Sequence, residues 1–187
     1  MIIIIEALQG TGKTWLCNRI SSLKHVVCVD LDKLALDAYE KSKSGRKKKE
    51  KLEDDRIQEL VDKYAESKIL VFVAVGLNMK ILTDSTHYFM KIDNLEKTFR
   101  RFQMRELDKI VQNEKRIRSL IKNAPVERIK GDIDSAVEYV VGFWEFKDFK
   151  KRYEDMLKQA HHNHSSVKSQ EGIFEDIKLA NKNFSRD

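Results

Sequence analysis

The chain has 187 residues, a formal net charge of +6 and a pI of about 9.2, with 41% hydrophobic and 35% charged residues. That length allows one domain with a sizeable core, and the positive balance favours anionic partners such as nucleotides or nucleic acid. No apolar run is long enough to span a bilayer, and the opening Met1–Ile5 stretch, ended by Glu6, is too short for a secretory signal, so a cytoplasmic protein is expected.

The β-branched run Ile2 to Ile5 predicts a buried parallel strand. A helix is expected from about Lys13 to Leu23, with Trp15, Leu16, Ile20 and Leu23 as its apolar residues. His25 to Val29 predicts a second strand ending at Asp30, and Asp32 to Lys43 a helix. Ser44 to Lys51 reads as a basic loop. Ile57, Leu60, Val61 and Tyr64 fall at helical spacing within about Glu53 to Ser67. Ile69 to Val75 is a continuous apolar run of the kind a central parallel strand shows, and His87 to Ile92 predicts a fourth strand. Asn94 to Asn123 reads as one long charged helix or two short ones, broken by Pro125. Asp132 is a good cap for a helix running to about Gln159, with Val137, Val140, Val141, Trp144 and Phe149 apolar. His161 to Gln170 reads as a polar linker, and Glu171 to Asn181 as a last amphipathic helix. Cys17 and Cys28 read as buried small hydrophobes; without a Cys-x-x-Cys pair they imply neither a zinc site nor a disulfide.

Strands alternating with helices predict a parallel sheet with helices on both faces, and ligands beyond the carboxyl ends of its strands. The segment leaving the first such end is Ala7-Leu8-Gln9-Gly10-Thr11-Gly12-Lys13-Thr14. Glycines let backbone N–H groups turn inward around phosphate oxygens, and the helix that follows aims its unpaired N–H groups at the same anion. Lys13 can reach the terminal phosphates, and the Thr14 hydroxyl can ligate Mg²⁺. Gln9, Gly10, Thr11, Gly12, Lys13, Thr14 and Trp15 are therefore the candidate nucleotide-binding residues, with Thr14 the candidate metal ligand. Ala7 stands where this Walker A pattern has its first glycine.

Residues Ile4 to Thr14 resemble the opening of thymidylate and deoxynucleoside kinases, within the P-loop kinase superfamily. The resemblance is strong over about residues 1 to 32 and only architectural afterwards; where those kinases carry an Asp-Arg pair after the third strand, this chain has Val75-Gly76-Leu77-Asn78. It implies an α/β three-layer sandwich forming a single domain over 1–187, with a helical lid at about 94–130 and a helical C-terminal half. It also implies ATP and Mg²⁺ as cofactors and a nucleoside or nucleotide as acceptor. A polynucleotide 5′-hydroxyl or another metabolite stands behind these. In several such kinases an acidic residue just past the second strand touches the acceptor hydroxyl; Asp30 and Asp32, alternating on an extended segment, are the candidates. Lid arginines follow the fourth strand in this family. Arg101 and Arg105, four apart on one helix face, have the two-pronged, permanently charged group that suits a transferring phosphate.

Two other classes compete. A nucleotide-dependent switch or ATPase acting on a protein or nucleic acid would want an acidic end to the third strand, which here is Val75-Gly76. A degenerate nucleic-acid-binding fold would not need an intact Gly12-Lys13-Thr14. Arg46 to Lys51, Arg116 and Arg118 read first as solvated charge, His161, His162 and His164 as linker, and Phe143, Trp144, Phe146 and Phe149 as core.

Overall fold

The computed structural model describes residues 1–34, 46–64, 66–75, 85–120 and 145–184. Its elements run β1 (Ile2–Glu6), α1 (Lys13–Ile20), β2 (Val26–Asp30), α2 (Arg46–Tyr64), β3 (Ile69–Ala74), β4 (Ser85–Met90), α3 (Leu95–Leu120), α4 (Phe146–His162), β5 (Ser166–Lys168) and α5 (Gln170–Phe184). They form two compact units. The first holds Met1–Asp93 and Met156–Asp187, the second Asn94–Asp155, with the boundary inside α4.

In the first unit the strands form one sheet in the order β2-β3-β1-β4-β5, every neighbouring pair parallel. The register sets Ile3 beside Val71 and Ile5 beside Val73, so the branched residues alternate between two buried faces. On one face Ile3, Ile5, Val71, Val73 and Met90 pack under Leu16 and Ile20 of α1 and under Ile173 and Ile177 of α5. On the other, Ile4, Leu70 and Phe72 pack with Ile57 of α2 and with Leu31. All six residues of β3 are buried. Each fully buried Ile or Val stabilises the fold by about 1.5–3 kcal/mol, which is why uninterrupted apolar runs end up as central strands. This is a three-layer α/β sandwich with helices on both faces.

Several expected boundaries move, each for a local reason. α2 begins at Arg46, so the stretch Arg46–Lys51 is helix and not loop. Lys, Arg and Glu are strong helix formers, and only the apolar period, first seen at Ile57, starts late. α1 stops at Ile20, where the Ser21 hydroxyl donates to the Cys17 carbonyl at 2.8 Å and competes with the next helical turn. The expected polar linker 161–170 contains β5, whose Ser166, Val167 and Lys168 pair with Tyr88, Phe89 and Met90. A three-residue edge strand with one apolar residue carries no periodic signal. Ser169 then caps α5, its hydroxyl accepting from Gly172 N–H at 3.2 Å. Residues 31–34 start a helix straight after β2, while the remainder of the expected Asp32–Lys43 helix lies outside the described residues.

Cys17 and Cys28 correct another expectation: they are joined as a disulfide between α1 and β2, their Cα atoms 5.5 Å apart, within the range a disulfide spans. The turn after α1 brings helix and strand back-to-back across a separation of 11 residues, a pairing that no short cysteine motif signals.

Along the β5 edge, Tyr88 is buried and Lys168 donates to Asp176 at 2.6 Å. Burial, and then a bond to the Asp176 carboxylate, push the Tyr88 phenol from 10.0 up to about 12. A folded-state value above the unfolded one contributes stability that is complete below pH 10.0 and is lost as pH rises through about 12. Tyr88→Phe is therefore expected to flatten the alkaline loss of stability in that window, as read by urea unfolding across a pH series. An unchanged slope would contradict the assignment.

In the second unit α3 is one continuous helix from Leu95 to Leu120. Asn94 caps it, its side-chain oxygen accepting from Lys97 N–H at 2.8 Å. Phe99 and Phe102 of α3 meet Phe149, with ring centroids 5.2 and 6.0 Å apart. Phe149 is fully buried, as a core residue should be, whereas Phe146 is 39% exposed. The expected helix from Asp132 is described only over Phe146–His162. Asp132, Val137, Val140, Val141, Phe143 and Trp144 lie outside the described residues.

Candidate active site

The loop between β1 and α1 sits at the carboxyl end of the sheet, with Ala7 N–H donating to the Ala74 carbonyl of β3 at 3.0 Å. Gly10 and Gly12 take φ values of 81° and 91°, the left-handed region that turns a loop sharply and favours glycine. At Gly12 a side chain would also meet the Gln170 amide, 3.1 Å from an added Cβ. That glycine caps α1 without a side-chain bond, and the first turn carries no acidic residue to offset the positive dipole end of the helix. Thr11 closes the loop from within, its hydroxyl donating to the Leu8 carbonyl at 2.8 Å.

Lys13 is 8% exposed. Its ammonium donates to the Ala7 and Leu8 carbonyls at 3.2 and 3.4 Å and pairs with Asp32 Oδ2 at 3.4 Å. The loop's own carbonyls hold the lysine head in place. The adjacent Thr14 hydroxyl donates to Asp30 Oδ2 at 2.9 Å. The two carboxylates are thereby divided between the two neighbouring loop side chains, Asp32 to Lys13 and Asp30 to Thr14.

Asp30 and Asp32 come together for a different reason from the strand alternation that was expected. Asp30 ends β2 and Asp32 lies in the helical turn that follows, and it is the adjacency of Lys13 and Thr14 that gathers them. Their environments differ. Asp32 is 49% exposed at its side chain, with Oδ1 accepting from Val75 N–H at 3.3 Å. Asp30 Oδ1 is buried and has no hydrogen-bond partner among the described residues, and the same holds for Gln9 Oε1. Buried oxygens of this kind call for a partner.

Two contacts from the far end of the chain were not legible in the sequence. Gln170 Nε2 donates to the Gly12 carbonyl at 3.1 Å, across 158 residues. Glu171 accepts from both terminal guanidinium nitrogens of Arg19, at 2.5 and 2.8 Å, and the pairing holds the Glu171 carboxyl below the usual carboxylate range. Gln170, Glu171 and Phe174 bring the start of α5 against α1 only because β5 places it there.

Arg101 and Arg105 lie on α3 in the second unit, both exposed, with the Arg105 guanidinium 5.8 Å from the Phe102 ring centroid. Arg100 is paired with Glu96 as an exposed i, i+4 pair. Among the described residues no cluster of His, Cys, Asp and Glu can hold a metal by itself, His161, His162 and His164 included. No described helix is long and apolar enough to cross a membrane.

The fold of the first unit is an α/β sandwich on an all-parallel five-stranded sheet. No protein-family model matches the chain, and no curated protein is detectably similar to it. Among solved structures, the shikimate kinase of Bacteroides thetaiotaomicron aligns over 84% of this chain and 98% of its own, with 17% identity and a TM-score of 0.41. An overlap that loose says nothing about the substrate of this chain.

Proposed function

We propose that this chain is a phosphotransferase that moves the γ-phosphoryl group of ATP to a hydroxyl of a small acceptor, a nucleoside or nucleotide. The observation that carries the reading is the pair of contacts Lys13–Asp32 and Thr14–Asp30 at the mouth of the Gly-rich loop. The backbone N–H groups of residues 10–14 bind the donor phosphates, and the Lys13 ammonium neutralises charge as it develops on the transferring group. The Thr14 hydroxyl and the Asp30 carboxylate are hard oxygen donors of the type Mg²⁺ takes together with phosphate oxygens and water, and Asp30 Oδ1, without a hydrogen-bond partner among the described residues, fits that role. When bound there, Mg²⁺ would supply further neutralisation of phosphate charge.

Asp32, half exposed and held by Val75 N–H, is the group that orients the acceptor hydroxyl and takes its proton. The acceptor oxygen forms its bond to the γ-phosphorus as the bridge to the β-phosphate breaks, and ADP leaves. The nucleoside or nucleotide acceptor rests on the resemblance of residues 4–14 to nucleoside and thymidylate kinases. Arg101 and Arg105 complete the reading as lid arginines that act on the transferring group.

The test is an acceptor panel of nucleosides, nucleotides and 5′-hydroxyl oligonucleotides, incubated with γ-labelled ATP and Mg²⁺. Label is expected on a nucleoside or nucleotide. Arg101→Lys and Arg105→Lys are expected to lower turnover more than ATP affinity, because they keep the charge and lose the fork. Label on oligonucleotide 5′ ends would redirect the acceptor, and label released only as inorganic phosphate would make the chain an ATPase.

A further inference from the structure

Trp15 directly follows Thr14 in the first turn of α1, and it is 56% exposed. An exposed tryptophan is unremarkable by itself. This one belongs to a built stack. Four residues on, the Arg19 guanidinium lies 5.3 Å from the Trp15 ring centroid and 3.5 Å from that of Phe174 on α5. Glu171 fixes that guanidinium through its two terminal nitrogens. Trp15, Arg19 and Phe174 are thus three flat groups tied to one another, and the stack ends in an aromatic ring whose remaining surface faces solvent. A planar group held this way loses little freedom when a second plane settles on it.

The position of the stack identifies the occupant. In a loop of this kind the backbone amides cradle the inner phosphates, while the lysine reaches the outer ones. Trp15 directly follows Thr14 in the first turn of the helix that leaves the loop, so the stack lies beside it. An aromatic face there meets a nucleobase.

We propose that Trp15 is the base-stacking platform of the donor nucleotide, and that Arg19 is a positioning residue that holds the indole. This deepens the phosphotransferase reading and rests on it. The platform recognises a flat heteroaromatic ring and not its hydrogen-bonding edge, so it selects nucleoside triphosphates over bare polyphosphate without choosing sharply among bases.

The experiment compares binding of ATP and inorganic tripolyphosphate, both with Mg²⁺, by calorimetry on the parent, Trp15→Ala and Trp15→Phe. Loss of a base–aromatic stack should weaken ATP binding by roughly five- to a hundredfold in Trp15→Ala. Tripolyphosphate binding should stay at the parental level, and Trp15→Phe should recover most of the ATP affinity. Equal weakening of both ligands, or weakening of neither, overturns the stacking proposal while leaving the loop assignment intact. Tripolyphosphate that binds neither the parent nor Trp15→Ala, with ATP affinity unmoved by Lys13→Ala, overturns the loop assignment and the platform with it.

Discussion

Lys13→Ala is expected to lower turnover with ATP and Mg²⁺ by a factor on the order of 10² to 10³, the usual cost of removing one preorganised group from developing charge. ATP affinity should fall as well, since the ammonium held at the loop carbonyls is lost. The substitution also has a structural cost. The ammonium bridges the Ala7 and Leu8 carbonyls and faces Asp32, so its removal leaves those acceptors to water. An unsatisfied buried acceptor costs about 1–3 kcal/mol, and the lower end applies here because the Asp32 side chain is half exposed. Lys13→Met keeps the aliphatic stem and separates the two effects. Both variants should melt cooperatively by circular dichroism while failing in turnover. Parental turnover in either would remove the loop from the chemistry.

Asp30→Asn and Asp32→Asn are expected to fail differently. An amide at position 30 still accepts from the Thr14 hydroxyl but no longer offers a charged oxygen to a cation, so its deficit should shrink as Mg²⁺ is raised. An amide at position 32 cannot take the acceptor's proton, and turnover should fall on the order of 10² to 10⁴ at every Mg²⁺ concentration. Its loss also releases Lys13 from an ion pair, so ATP affinity should hold or rise slightly. Initial rates across a Mg²⁺ titration read both. Identical Mg²⁺ dependence in the two variants would mean that the carboxylates do not divide the labour as their contacts suggest.

The division between Asp30 and Asp32 marks the limit of what the sequence carried. The loop, its glycines, the three strands β1, β2 and β3 and the helix after the loop were legible, because branched runs and a spaced Gly-Lys-Thr pattern are local signals. Which carboxylate meets Lys13 and which meets Thr14 was not, because it depends on where β2 ends and the next helical turn begins. β5 was missed for want of length, and with it the whole approach of α5 to the loop, including Gln170 on the Gly12 carbonyl and the Arg19–Glu171 grip. The disulfide was missed because it depends on how α1 folds back along β2. The expected helical start at Asn94 lies one residue from that of α3 at Leu95, yet the sequence could not place Arg101 and Arg105 against a ligand, because a charged helix face looks the same whether it closes a site or faces water.

The most direct test is single-turnover transfer from γ-labelled ATP, with Mg²⁺ and the best acceptor from the panel, on the parent and on Asp32→Asn. The expected result is label on the acceptor in one exponential phase for the parent, slowed on the order of 10² or more in Asp32→Asn at similar ATP occupancy. Label that stays on ATP, appears only as inorganic phosphate, or moves equally fast in both proteins would contradict a phosphotransferase built on Lys13, Thr14 and the two aspartates.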